Sequence, residues 1–441
     1  MKILLIAFYF PPNGGGGVQR ILKFAKYLPE FGVEPVVIAA LEAGYPVDES
    51  LLDDLPQEIK VHRIRHTSFL YRADRLMQAL RNRKDKNNKE MAIPKRNIES
   101  SWRDRVLNIY NSLQFPDDKS AWRRKAVKKG AMLIEQGGFD IIMSTAPPIS
   151  SHFVADKLKR KYQIPWVADY RDLWVGNPSN NLPRWRTYLE RFLEKKLVSN
   201  VDGVTAATQE IANHVYSVSN KNKKVIYLPN GYDEADFSSV VPDRKKEDYF
   251  FLVYTGSLYG HRTPVTLLAG VRLLFERYPC LARRLRLRFF GNIGSRFENV
   301  FADFERDYPD VVERFSYIPH KLIPKTLLEA DALLLVIGGG ENARGVLTGK
   351  IFEYLRAARP ILMLGSKYGE AAKIIQQNKR GVILDEDDTH GVADILKKWL
   401  ENGVELEVQS ESEDHIRIYE RRETTKRLVE FLREVHEASR L

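Results

Sequence analysis

The chain has 441 residues, 44% apolar and 29% charged. That is the balance of a soluble globular protein, at a length one core seldom fills, so two domains are expected. Cys280 is the only cysteine, which excludes an internal disulfide framework and suits a reducing compartment. The net charge of +11 is placed unevenly: residues 61–130 hold 19 Lys/Arg against 7 Asp/Glu, so this one patch carries the whole excess.

The chain opens with an apolar run, Ile3 to Phe10, behind a single Lys2. It stops at Pro11-Pro12 without the cleavage region of a signal peptide, and no run reaches about 18 apolar residues. A cytoplasmic location is therefore expected. Residues 2–10 read as a buried strand, and a helix is expected over 18–31. Between them lie Gly14, Gly15, Gly16 and Gly17. Glycines between a strand's carboxyl end and a helix start let backbone N–H groups approach a ligand without Cβ obstruction. The spacing does not match a dinucleotide fingerprint, and the nearest acid for a ribose is Glu42, so a dinucleotide cofactor is disfavoured.

Further strands are expected at 35–40, 59–64, 141–144, 166–169 and 203–206, with a helix at 151–162. Within the basic patch, Phe69, Leu70, Ala73, Leu76, Met77 and Leu80 recur at helical spacing among Arg72, Arg75, Arg81 and Arg83. Such a helix either packs on a core with its charges outward or lies on an anionic lipid surface. No helix-turn-helix, RNP or zinc pattern accompanies the charge, which weighs against nucleic acid. His152, in Pro147-Pro148-Ile149-Ser150-Ser151-His152, and Asp172, in Asp169-Tyr170-Arg171-Asp172, follow strand ends, where α/β sheets bind ligands. Either could orient an acceptor hydroxyl or take its proton. For Asp169 and Arg171 a structural ion pair is the expected role.

The second half repeats the alternation, with strands at 250–255, 286–290, 315–318, 332–336, 360–364 and 381–384 and helices at 265–277, 324–330, 349–358 and 392–400. Two doubly wound α/β domains follow, 1–236 and 249–415, with a polar linker at 237–248 and a final surface helix within 416–441. The richest stretch runs Gly345-Val346-Leu347-Thr348-Gly349-Lys350-Ile351-Phe352-Glu353. A helix start gathers unpaired N–H groups, Lys350 adds a point charge for phosphate, and Glu353 one turn on can accept from a sugar hydroxyl. This is not the phosphate loop of ATPases, because the glycine spacing is one residue short and Ile351 replaces the magnesium-binding Ser/Thr. Asp385-Glu386-Asp387-Asp388 reads as a solvated loop and helix cap, and no His/Cys cluster has metal-ligand spacing, so no metal is expected.

Taken in order, these segments resemble the glycosyltransferases of family 4. The resemblance rests on the opening strand, glycine loop and helix, on Pro229-Asn230-Gly231-Tyr232-Asp233, and on Tyr254-Thr255-Gly256-Ser257-Leu258. Phe290-Gly291-Asn292-Ile293-Gly294, Tyr317-Ile318-Pro319-His320, Lys350-Ile351-Phe352-Glu353-Tyr354 and Tyr419-Glu420-Arg421-Arg422-Glu423 complete it. It implies the GT-B architecture: two Rossmann-like parallel-sheet domains facing across a cleft, with the last helix crossing back to the first. The second domain would bind a nucleotide diphosphate sugar, with Arg262 and Lys350 on the diphosphate and Glu353 on the ribose. Ile318 and Pro319 would flank the base. Gly256, Gly291, Thr348 and Gly349 would line the site, and the Gly14–Gly17 loop would face the sugar.

The family's usual first glutamate falls on Gly345 here, with Glu341 as the candidate replacement, and Ser257 stands where a basic residue is common. The expected function is a retaining glycosyltransferase of the hexosyltransferase type, without metal or cofactor. It would build bacterial envelope polysaccharide on a glycan or lipid-linked acceptor, peripheral to the inner face of the cell membrane through residues 61–130. A catalytically silent nucleotide-binding subunit and a nucleotide-sugar epimerase are the alternatives.

Overall fold

The computed structural model describes residues 1–42, 45–67, 114–177, 182–243, 249–338, 345–404 and 415–440. The amphipathic pattern at 69–80 and Glu341 lie outside the described residues. The chain divides into two compact units. The first holds Met1–Ala207, Ile211–Tyr227 and Leu428–Leu441; the second holds Thr208–Glu210 and Leu228–Arg427.

The first unit is built on seven parallel strands: β1 Lys2–Ala7, β2 Glu34–Glu42, β3 Lys60–His66, β4 Ile141–Ala146, β5 Trp166–Tyr170, β6 Gly203–Ala206 and β7 Lys224–Tyr227. Their spatial order is β3-β2-β1-β4-β5-β6-β7, so the sheet reverses direction of growth between β1 and β4. β1 pairs with β2 and β4 at once, Ile3 meeting both Pro35 and Ile141. Continuous apolar runs suit strands covered on both faces, and Ile3 to Phe8 are fully buried. The Ser120–Gln136 helix drops Trp122 edge-on to Phe8, ring centroids 5.0 Å apart.

The second unit has six parallel strands: β8 Phe250–Thr255, β9 Leu285–Phe290, β10 Val312–Phe315, β11 Ala332–Val336, β12 Ile361–Leu364 and β13 Gly381–Leu384. Their order is β10-β9-β8-β11-β12-β13, with the reversal between β8 and β11. Successive side chains of a strand point to opposite faces. Here Leu252, Tyr254, Leu334 and Leu362 join one buried cluster, while Phe251, Val253, Leu333 and Ile361 join the other.

Several expected boundaries move. The strand expected at 315–318 lies earlier, at Val312–Phe315, and β7 is an edge strand the pattern missed. The first strand ends at Ala7, short of Phe10. The last helix is Arg421–Ala438; Phe431 and Val435 press on Gly203, and Arg433 donates to the carbonyl of Phe31 at 2.8 Å.

Candidate functional site

Ligands of open α/β sheets bind beyond the carboxyl ends of the strands where the order reverses. In the second unit that point lies between β8 and β11. Gly256 follows β8, and the Gly345–Gly349 stretch follows β11 and leads into the Lys350–Ala357 helix. That helix forms because Ile351, Phe352, Tyr354 and Leu355 bury one face, and it stops where Ala358 turns left-handed before Arg359-Pro360.

Lys350 and Tyr354, one turn apart, both reach the end of β8. The ammonium of Lys350 donates to the carbonyl of Thr255 and stands 4.0 Å from the ring centre of Tyr254. The Tyr354 hydroxyl accepts from the Thr255 backbone N–H at 3.1 Å. Gly256 has φ +109, and a Cβ there would lie 2.7 Å from Lys350 Nζ. Gly291, φ +131, packs against the same turn, its missing Cβ only 2.5 Å from the Gly256 carbonyl oxygen. The glycines therefore make room for the lysine and for each other. Tyr254 closes the turn by donating to the Ser257 carbonyl at 3.0 Å.

Arg262 stands on the turn after β8, its guanidinium 5.2 Å from the ring centre of Tyr259. Burial and the Arg262 charge together push Lys350 down to about 7, opposed by Glu353. Two cations crowded at a strand end, one of them poised to lose its proton, make a site that an anion would relieve. Glu353 Oε1 accepts from His320 Nε2 at 2.9 Å, which brings the Ile318-Pro319-His320 segment against the Lys350–Ala357 helix. The structure thus gathers Gly256, Arg262, Gly291, Ile318, Pro319, Gly349, Lys350 and Glu353 at the carboxyl ends of the second sheet's strands. Thr348 Oγ1, beside them in the chain, is buried without a partner. Sequence reading did not assign roles to Tyr254, Thr255, His320 or Tyr354; their chemistry depends on partners far along the chain.

In the first unit, Gly15 carries φ +84 just ahead of the Gly16–Tyr27 helix. Gly14 N–H donates to the Pro46 carbonyl at 2.8 Å. Arg171 fastens the loop by donating to the carbonyls of Gly17 and Pro147, and to that of Ala146 at 3.3 Å. The ion pair expected between Asp169 and Arg171 is corrected. Asp169 instead takes Arg20, whose Nη2 lies at 2.8 Å, and the hydroxyls of Thr145 and Thr205, each at 2.7 Å. Burial pushes this carboxyl up, but Arg20 together with the Thr205 and Thr145 hydroxyls outweighs it and holds the pKa below the usual carboxylate range.

His152 is fully buried, its Nδ1 2.8 Å from Ser144 Oγ. That oxygen also accepts from Trp166 Nε1 at 2.7 Å. Burial lowers the imidazole to about 3, leaving it neutral. With no exposed surface, the ring is placed as a core group rather than as a base for an acceptor. Asp172 is exposed past β5. Asp388 caps the Thr389–Asn402 helix, accepting from Gly391 N–H at 2.8 Å, as the sequence suggested.

Two doubly wound parallel units make the GT-B fold, and solved structures of that fold match along almost the whole chain. A glycosyltransferase from Rickettsia africae is 14% identical over 98% of this chain and 98% of its own, TM-score 0.61. Anabaena HepE, in complex with UDP and glucose, is 13% identical over 98% and 100%, TM-score 0.63. The lipopolysaccharide outer core galactosyltransferase WaaB is 14% identical over the full length of both, TM-score 0.56. No curated protein matches the chain. The family comparison points the same way: residues 15–231 match the model of the glycosyl transferase 4-like domain.

Proposed function

We propose that the protein is a retaining glycosyltransferase that moves a sugar from a nucleotide diphosphate sugar to a glycan or lipid-linked acceptor of a bacterial envelope. One observation carries the reading: the Lys350 ammonium rests on the Gly256 turn beside Arg262, at the switch point of the second sheet. A departing nucleoside diphosphate develops negative charge, and fixed cations there lower the barrier. One such donor is worth roughly 3–4 kcal/mol in a dry site. With Arg262 and Lys350 supplying that charge, the reading includes no metal or cofactor. Glu353 would accept the ribose hydroxyls and the Ile318-Pro319 backbone would flank the base. The complexes of HepE with UDP and with UDP-glucose support a uridine nucleotide, and WaaB supports an envelope glycan as acceptor. Retention by front-face displacement needs no enzymatic nucleophile, which suits a first unit whose His152 is sealed in the core.

A thermal-shift comparison of UDP, GDP, ADP, dTDP and CMP tests the site. At about 100 times its dissociation constant the true nucleotide stabilises by about 2.7 kcal/mol. Lys350→Ala and Glu353→Ala are each expected to abolish the shift. If both keep it, the donor site lies elsewhere. Transfer to an acceptor, or slow release of the nucleotide from its sugar, then separates an active enzyme from a silent binding subunit.

A further inference from the structure

The Arg184–Asn200 helix of the first unit turns large apolar side chains to solvent. Trp185, Tyr188, Leu189 and Phe192 recur at spacings of three and four, so they share one side, and they are 53%, 69%, 39% and 65% exposed. Both acids of the helix are buried: Glu190 meets Arg186 at 2.8 Å and Glu194 meets His214 at 3.0 Å. The charged residues left outside, Arg184, Arg191, Lys195 and Lys196, are all cationic. Beside this helix, the Ser120–Gln136 and Ser150–Tyr162 helices complete a groove of about 510 Å³ with Arg123, Arg124, Lys157 and Lys196 over Phe153 and Leu193. Its one acid, Asp156, is matched by Arg160 at 3.0 Å.

A contiguous exposed aromatic stripe marks a contact surface. The charge around it selects the partner. Bulky aromatics flanked by cations, with every acid of the helix turned inward, suit the boundary between lipid headgroups and acyl chains. Each cation near an anionic leaflet adds to the attraction. We propose that the Arg184–Asn200 helix docks on an anionic phospholipid bilayer, its aromatics entering the headgroup zone while the basic groove takes lipid phosphates. The surface differs from the sequence pattern at 69–80 and does not depend on the transferase reading.

Vesicle sedimentation tests it, with phosphatidylcholine alone or with about one third phosphatidylglycerol. The wild type is expected to bind the anionic vesicles on the order of tenfold more tightly than the neutral ones. Trp185→Ser with Phe192→Ser, and separately Lys195→Glu with Lys196→Glu, should each weaken that binding on the order of tenfold while keeping the nucleotide-induced thermal shift. Should a variant melt abnormally, wild-type protein with bromine-labelled acyl chains decides. Quenching of tryptophan emission that Trp185→Phe removes supports the proposal; no such quenching overturns it. Absence of wild-type binding to anionic vesicles, undiminished binding by both variants, or loss of self-association in the variants in place of vesicle binding would equally overturn it.

Discussion

The ammonium of Lys350 has burial and Arg262 against it and Glu353 for it, which leaves its pKa at about 7 in place of the ordinary 10.5. A bound diphosphate favours the charged form, so binding above pH 7 must be accompanied by proton uptake. Nucleotide affinity should therefore fall from pH 7 to pH 9 by up to about tenfold per unit. Calorimetry in buffers of different ionisation heat should detect the uptake, and Lys350→Met should flatten what dependence remains. Affinity unchanged over that range would remove Lys350 from the anion site. For the empty protein the sign is the reverse: the unfolded chain holds this proton longer, so the Lys350 contribution to stability improves as pH rises from about 7 toward 10.5. Lys350 and Glu353 were legible because their spacing and the glycine ahead of them are local. Their partners Thr255 and His320 were not, since strand order brings those in. His152 misleads for the same reason. A histidine at a helix start looks alike whether its ring faces in or out, and Ser144 with Trp166 decides it.

Among elements, buried central strands announce themselves by unbroken apolar runs, while edges do not. β7 has four residues and only partly buried side chains after an exposed lysine; β10, the edge of the second sheet, leaves Arg314 and Phe315 exposed. The Arg184–Asn200 helix escaped attention because its pattern is inverted. Apolar residues at 185, 188, 189 and 192 point out, and the paired Arg186, Glu190 and Glu194 point in. A periodicity argument assumes the opposite. The turn pair Gly256 and Gly291 permits a sharper expectation. Gly291→Ala would place a methyl 2.5 Å from the Gly256 oxygen at φ +131, costing roughly 1–3 kcal/mol. It should lower the melting temperature and also weaken nucleotide binding, because the displaced turn is the one Lys350 rests on. An alanine variant indistinguishable from wild type in both would show the contact to be slack.

On the scale of the whole molecule, alternation of strands and helices made both doubly wound units legible, and the family resemblance, not the alternation, implied that the last helix returns to the first unit. Leu428–Leu441 belongs to the first unit although the entire second unit precedes it in the chain. Leu428, Val429, Phe431, Leu432 and Val435 are all buried. At about 1.5–3 kcal/mol for each large apolar side chain, their removal costs on the order of 10 kcal/mol, comparable with the whole stability of a domain. A chain cut before Leu428 should therefore lose the cooperative melting of the first unit and expose it to limited proteolysis. A truncated protein whose first unit resists protease as before would contradict this.

The bare backbone of Gly203, with Phe431 and Val435 seated where a Cβ would project, also dictates a timetable. A ribosome reads the sheet of the first unit early and its covering residues only after some two hundred intervening codons. Nascent chains consequently carry an uncovered apolar face for nearly half of their synthesis, and the half that is made first is the half completed last.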